Sequence, residues 1–149
     1  MANRFEEAGK VEPVRIRTAS GQPVGGNFFE LVGGSATFEK LANKFYQGVV
    51  DDEILRPMYP EEDLAPAARR LQLFLEQYWG GPDTYQQERG HPRLRMRHQP
   101  FKINPQARER WLLHMRTAVD SLNLPQLQDA ELWAYLDRAA TAMLNTYDD

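Results

Sequence analysis

Apolar residues recur at helical spacing in several stretches of the chain. One stretch runs from Ser35 to about Val50, and its apolar residues follow at intervals of three and four: Phe38, Leu41, Ala42, Phe45 and Val49. This spacing is typical of one buried face of a helix. Comparable patterns predict helices from about Leu64 to Trp79, from Asn104–Pro105 onward, and from about Asp129 to Thr146. Because convincing strand alternation is absent, the pattern predicts an all-α protein.

Capping residues give the bounds of the first two predicted helices. Asn27 is a predicted N-cap for a very short helix through Leu31, which Gly33–Gly34 ends. Ser35 is the predicted N-cap of the longer helix that follows.

Proline and glycine mark the boundaries in the middle of the chain. Asp63 is a predicted cap for the helix that ends at Gly80–Gly81–Pro82. The polar segment from Thr84 to Gly90 is expected to be a loop. Pro92 is expected to open a short helix that ends before Pro100, since a residue that precedes proline is biased away from helical geometry.

Length and composition predict one domain. A chain of 149 residues, 42% hydrophobic and 26% charged, is long enough to form a single core. Residues 1–26 mix charges with glycine and proline without a helical period, so they are expected to form a flexible extension before a domain at 27–149.

Charge and composition exclude several classes of function. A net charge of −3 argues against a nucleic-acid partner, which would need a basic surface. The chain has no cysteine, so disulfides, thiolate metal sites and cysteine nucleophiles are excluded. No apolar run has the length of a signal peptide or a membrane span, and a cytoplasmic location is therefore expected.

Three histidines, at 91, 98 and 114, are candidate metal ligands. A lone helical histidine is more often a structural residue with a satisfied hydrogen bond, and spacing alone does not favour one of the three. The aromatic residues Tyr46, Tyr59 and Trp111 are likewise typical core residues when each is taken singly, although a buried polar hydrogen on any of them needs a partner. The basic run from Arg89 to His98 is either a solvated charge cluster or a site that receives carboxylates.

Several long motifs, taken together, resemble one known family. They are FFELVGG from Phe28, KFY from Lys44, YPEEDL from Tyr59, FLEQYWGGP from Phe74, RGHPRLRMRH from Arg89, PF from Pro100, and Trp111. In this order and spacing, residues 27 to about 145 resemble the O-type, or group II, truncated haemoglobins of the globin superfamily. The resemblance implies a two-over-two helical sandwich that encloses one haem b.

The resemblance also implies roles for single residues. His98 falls at the position of the proximal iron ligand, and Tyr46, Tyr59 and Trp111 face the ligand that binds on the other side of the iron. Ala67 stands where many globins carry a distal histidine. Arg70 and Arg97 are implied contacts of the haem propionates. The remaining implied haem contacts are apolar: Phe45, Leu71, Phe74, Leu94, Phe101, Ile103 and Met115.

Three functions are compatible with the sequence. The first is reversible binding of dioxygen or another small iron ligand. The second is a haem redox enzyme that acts on peroxide, nitric oxide or related species, for which an external reductase is expected as electron donor. The third is a haem-free helical interaction module, which would not require the joint presence of His98 and the three distal residues. Self-association into a homo-oligomer is left open.

Overall fold

The computed structural model describes residues 15–17 and 23–148. Two strands are β1 (Arg15–Arg17) and β2 (Pro23–Asn27). The helices are α1 (Phe28–Leu31), α2 (Ser35–Val49), α3 (Ala65–Tyr78), α4 (Thr84–Arg89), α5 (Leu94–His98), α6 (Pro105–Asp120) and α7 (Gln126–Ala142), with a 3₁₀ turn at Arg56–Met58.

Strands β1 and β2 pair in antiparallel orientation, with Arg15 opposite Asn27 and Arg17 opposite Pro23. Apart from Asn27, the last residue of β2, they lie in the segment 1–26 that was expected to be a flexible extension. The other residues of that segment lie outside the described part of the chain. From α1 onward the described residues form helices, turns and loops, which confirms the all-α prediction for the domain.

The start of the helical domain follows the predicted capping chemistry at one position and departs from it at another. The Asn27 side chain accepts a hydrogen bond from the Glu30 amide at 3.1 Å, as predicted for the cap of α1. Ser35 is not the cap of α2: Gly34 occupies that position with a positive φ of 71°. The Ser35 hydroxyl instead donates to Oε1 of Glu76 at 3.0 Å and so links α2 to α3.

The middle of the chain contains one helix that the sequence pattern did not predict. The polar segment expected to be a loop forms α4, so that expectation was wrong. Tyr85 is the one buried residue of α4, and its ring meets Phe74 of α3 edge-on at 5.7 Å. Asp63 does not cap α3 directly, because Leu64 occupies the cap position, but its carboxylate accepts from the Ala65 amide.

The last two helices begin at proline-containing turns. Asn104 caps α6 by accepting from the Ala107 amide at 2.8 Å, and Pro105 is the first helical residue, as predicted. Helix α7 begins after Pro125, three residues before the predicted start, and ends at Ala142. It ends earlier than predicted because the backbone amide of Asn145 turns away to bond the Ile103 carbonyl.

Among the four long helices, α2 contacts both α3 and α6, and α6 also contacts α7. The fully buried side chains of these helices and of α1 form one core, whose largest members are Tyr135, Phe28, Phe38, Phe45, Leu41 and Leu75. Within the described residues, no helix combines the length and the apolar character that crossing a membrane requires.

The contact between α2 and α6 depends on Gly48. A Cβ atom at this position would overlap with the ring of His114. We therefore expect Gly48→Ala to lower the free energy of unfolding by about 1–3 kcal/mol through overpacking, measured by urea denaturation. Gln47→Ala, at the exposed neighbouring position, should change it by less than about 0.5 kcal/mol. A gain in stability for Gly48→Ala, as helix propensity alone would give, would contradict the close approach.

Candidate functional site

A cavity of about 450 Å³ lies between the helices. Its volume is within the range of about 300–1,000 Å³ that is usual for small-molecule and cofactor sites. The structure brings almost all sequence-predicted site residues to its wall: Phe45, Tyr46, Tyr59, Ala67, Arg70, Leu71, Phe74, Leu94, Arg97, His98, Phe101, Ile103 and Trp111. Residues that are far apart in sequence thus share one largely apolar chamber.

Met115 is the one predicted cofactor contact that does not line the cavity. Its side chain is completely buried in the core. Helix α6 contributes Ala107, Arg108 and Trp111 to the wall, and Met115 lies one turn beyond the last of these. The cavity therefore ends before the turn of α6 that carries Met115.

His98 is the last residue of α5, and its ring is held by the helix itself. Its Nδ1 lies 2.7 Å from the carbonyl oxygen of Leu94. Because a carbonyl only accepts hydrogen bonds, Nδ1 carries a proton, and this leaves the lone pair of a neutral ring on Nε2. A histidine oriented in this way is suited to bind a metal through Nε2. The other two histidines, His91 and His114, do not line the cavity.

Two tyrosines form a hydrogen-bonded pair at the cavity. The hydroxyl of Tyr46, on α2, donates to that of Tyr59 at 3.3 Å, and the rings meet edge-on. Burial raises the pKa of Tyr46 well above its usual value, and the neighbouring Tyr59 raises it further. Burial also raises the pKa of Tyr59, although the hydrogen bond it accepts works in the opposite direction. Both phenols therefore stay protonated at neutral pH, and the proton of Tyr59 is not used by Tyr46.

Trp111 supplies a third polar hydrogen to the wall. It lies on α6, and its indole packs against the ring of Phe45 with centroids 5.4 Å apart. Within the part of the chain that the structure describes, no group accepts the indole N–H of Trp111. An indole nitrogen only donates, so this hydrogen is available to a molecule inside the cavity.

The two arginines expected to bind the cofactor's carboxylates already have partners within the protein. Nη2 of Arg70 pairs with Oε1 of Glu61 at 2.6 Å, and both side chains are about one-third exposed. This pairing, together with a backbone hydrogen bond, holds the pKa of Glu61 below its usual value. Arg97 donates to the carbonyls of Pro92 and Arg89. Arg97 therefore has no carboxylate partner among the described residues, whereas Arg70 does.

Arg56 fixes the loop that carries Tyr59. Its guanidinium donates hydrogen bonds to three carbonyl oxygens of this loop, those of Tyr59, Glu61 and Glu62, at 2.8–3.0 Å. The loop is thereby closed on itself, and the ion pair between Glu61 and Arg70 joins it to α3. Sequence reasoning missed Arg56, because an arginine beside a proline carries no signal for carbonyl binding.

Asp52 is a second anchor that the sequence pattern did not reveal. Its side chain is fully buried, and Oδ1 accepts from the amides of Ile54 and Leu55. Oδ2 accepts from Nε of Arg110 at 2.9 Å and lies 2.6 Å from Nε2 of His114. Because Arg110 and His114 lie on either side of Trp111 in α6, Asp52 ties the segment after α2 to the helix that carries this residue.

Further residues of the wall come from α7 and were not predicted as contacts of a cofactor. They are Tyr135, Leu136, Ala139 and Ala140, with Met143 directly after the helix. Their helical spacing was visible in the sequence, but it predicts burial without saying whether the neighbour is protein or ligand.

Comparison with known proteins identifies the family. A family model described as Bacterial-like globin matches residues 27–145. The chain belongs to the bacterial-like globin family. This globin is also 38% identical to Group 2 truncated hemoglobin YjbI of Bacillus subtilis over 112 residues, which cover 75% of this chain and 84% of that protein.

Solved structures agree with this assignment. A thermostable hemoglobin from Thermobifida fusca is 60% identical with a TM-score of 0.80, and the match covers 82% of this globin and 99% of that chain. The group II truncated hemoglobin of Bacillus anthracis is 38% identical with a TM-score of 0.78, covering 82% and 98%. These matches confirm the group II truncated haemoglobin family and its helical sandwich fold, and with them haem as the cofactor.

The residues of the cavity fit haem. A flat, mostly apolar macrocycle needs apolar walls, and its iron needs an axial ligand such as a neutral imidazole. The wall of this cavity is largely apolar, and the hydrogen bond between His98 and Leu94 leaves Nε2 of His98 able to ligate.

We expect Asp52 to make the free energy of unfolding depend on pH in the acid range. Burial alone would raise the pKa of Asp52, but hydrogen bonds from His114, Arg110 and two backbone amides outweigh it and hold the pKa well below its usual value. A carboxyl with a lowered folded-state pKa stabilises the fold above its unfolded pKa, about 4, and this contribution is lost as pH falls toward the folded value.

Asp52→Asn should therefore lower the free energy of unfolding at pH 7 by roughly 2–4 kcal/mol, and the gap to the wild type should narrow below about pH 4. Urea denaturation at pH 7 and pH 3.5 measures both effects. Asp51→Asn, at the exposed neighbour, is the matched control and should change stability by less than about 0.5 kcal/mol. An equal loss at both pH values would contradict a role for the charge of Asp52.

Proposed function

We propose that this globin binds dioxygen, and other small diatomic ligands, at a haem iron held by His98. The observation that carries the proposal is the set of groups that line one cavity. They are an imidazole whose Nδ1 is committed to the Leu94 carbonyl, and polar hydrogens from Tyr46, Tyr59 and Trp111. When bound, the haem supplies an iron with one coordination position open to a small ligand.

On the proximal side, the protein would hold the haem and orient the imidazole that binds its iron. Nε2 of His98 would hold the iron, and the hydrogen bond on Nδ1 would fix the ring plane and increase the basicity of the ligating nitrogen. The apolar side chains that would enclose the macrocycle and exclude water are Phe45, Leu71, Phe74, Leu94, Phe101 and Ile103. Arg97 is the better candidate for a propionate, since Arg70 is already paired with Glu61.

On the distal side the chain supplies donors of unequal availability. The proton of Tyr46 is given to the oxygen of Tyr59, so the proton of Tyr59 remains for a ligand. Trp111 offers a second free hydrogen. A hydrogen bond to a ligand that gains negative charge is worth about 1–3 kcal/mol. We therefore infer that Tyr59 and Trp111 hold the ligand directly, while Tyr46 acts by orienting Tyr59.

A second candidate function is redox chemistry on peroxide, nitric oxide or related species. It is favoured by the hydroxyl and indole groups that line the cavity, because donors that stabilise a bound oxygen can also polarise an O–O bond. Such turnover would require an external electron donor. A cytoplasmic location and self-association stay predictions from the sequence.

The proposal is tested by absorption spectra of the haem-reconstituted protein, reduced and then exposed to carbon monoxide or air. We expect stoichiometric haem uptake with distinct ferrous, carbonyl and oxygenated spectra. His98→Ala should abolish them because it removes the axial nitrogen. His91→Ala removes a histidine outside the cavity and should leave them unchanged. Haem uptake that is equal in wild type and His98→Ala would overturn the assignment of His98.

The distal assignment is tested by dioxygen release rates of three variants. Loss of a direct hydrogen bond of about 1 kcal/mol increases the release rate about five-fold. Tyr59→Phe and Trp111→Phe should each show at least this increase, and Tyr46→Phe a smaller one, because Tyr46 does not bond the ligand itself. A larger effect for Tyr46→Phe than for Tyr59→Phe would reverse the assigned order of donors. The rates are measured by stopped-flow mixing with carbon monoxide.

A further inference from the structure

The segment that ends in His98 carries an unusual concentration of positive charge. From Arg89 to Arg108 the sequence contains six lysine or arginine residues and no aspartate or glutamate, although the whole chain has a net charge of −3. Three of these arginines have exposed side chains on or beside α5: Arg89, Arg93 and Arg95.

These three arginines differ from most others in the molecule. Elsewhere in the described chain the arginines at 69, 70, 108, 110 and 116 pair with carboxylates. Within the same described residues, Arg89, Arg93 and Arg95 pair with none. The nearest carboxylate in sequence, Glu88, is already neutralised by a bidentate bond from Arg69 at 2.6 and 2.8 Å. Positive charge therefore accumulates here without an internal counterion.

An exposed apolar residue lies within this cluster. The side chain of Met96 is between Arg95 and Arg97 in sequence and is 55% exposed. We call Arg89, Arg93, Arg95 and Met96 the arginine surface. A small apolar centre with charged residues around it is typical of weak, transient protein contacts, which bury little area and are guided by charge.

The arginine surface lies beside the candidate haem site. Arg89, Leu94, Arg97 and His98 line the cavity, whereas Arg93, Arg95 and Met96 do not. Met96 precedes His98 by two residues in α5, which corresponds to a rise of about 3 Å along the helix. Arg93 and Arg95 thus lie outside the cavity wall, within five residues of His98 in sequence.

We propose that the arginine surface docks an electron-transfer protein with an acidic surface, which reduces the haem of this globin. This inference rests on the proposed haem function and names the class of partner that redox turnover needs. The reduced partner loses one electron and the ferric haem gains it, and no bond forms or breaks in the chain. Positive charge beside the site accelerates the encounter with an acidic partner, and salt weakens it.

The test uses a probe of the required chemistry, an acidic plant-type [2Fe–2S] ferredoxin, with the haem-loaded globin. Binding of the oxidised ferredoxin to the ferric globin is measured by calorimetry at several salt concentrations, and haem reduction by the reduced ferredoxin is followed by stopped flow. The test variant is Arg93→Glu/Arg95→Glu. The control is Lys40→Glu/Lys44→Glu, which makes the same change in net charge at two exposed residues of α2.

We expect salt-sensitive binding that the Arg93/Arg95 reversal weakens at least ten-fold, with a parallel loss in reduction rate, while the control loses less than about two-fold. Arg93 has a positive φ of 44°. A second variant, Arg93→Asn/Arg95→Gln, guards against misfolding, because asparagine accepts this conformation. It should give an intermediate loss.

The proposal would be overturned if the test and control variants lost ferredoxin affinity equally. It would also be overturned if the ferredoxin did not bind, or if salt did not affect its binding. Binding to vesicles of anionic phospholipid in place of ferredoxin would also overturn it. The carbonyl spectrum after chemical reduction separates the two hypotheses. A normal spectrum with no ferredoxin contact contradicts the docking surface alone, whereas failure to take up haem contradicts the proposed function.

Discussion

The hydrogen bond from Nδ1 of His98 to the carbonyl of Leu94 is the interaction on which the candidate site depends. It lies within one turn of a five-residue helix, so the geometry of α5 sets the direction of the ligating nitrogen. Unless this bond were made, the ring could present either nitrogen. Leu94 and His98 both line the cavity, and the same turn therefore supplies the axial nitrogen and part of the apolar wall.

The opposite wall is positioned by Asp52 and Arg56, which do not themselves line the cavity. Asp52 holds the segment after α2 against α6, and Arg56 closes the loop of Tyr59 through three carbonyl oxygens. A buried carboxylate is costly unless it is fully hydrogen-bonded, and the four bonds of Asp52 meet this requirement. The distal donors are thus placed by polar anchors, of which the buried carboxylate of Asp52 is fully hydrogen-bonded.

Local chemistry was readable from the sequence, and long-range chemistry was not. The start of α6 at Asn104–Pro105 was predicted because a cap acts over three residues. Helix α4 was missed because it buries only Tyr85 and shows no apolar stripe. Asp52 gave no signal because its partners Arg110 and His114 lie 58 and 62 residues further along the chain.

The same difference between local and long-range information applies to the residues of the candidate site. The resemblance singled out His98, which spacing alone did not distinguish from the other histidines. The resemblance implied Met115 as an apolar haem contact, but Met115 does not line the cavity. The unequal availability of the tyrosine protons required the geometry of the pair, since sequence says nothing of which hydroxyl donates to the other.

The apolar cavity has a consequence for the stability of the protein against unfolding and proteolysis. Its wall includes residues of α2, α3, α6 and α7, the helices that form the core, so haem in the cavity would extend that core. A ligand that binds only the folded chain stabilises it in proportion to the logarithm of the ligand's free concentration. The fraction of this globin that is folded, and so escapes proteolysis, is therefore expected to rise with the free haem concentration.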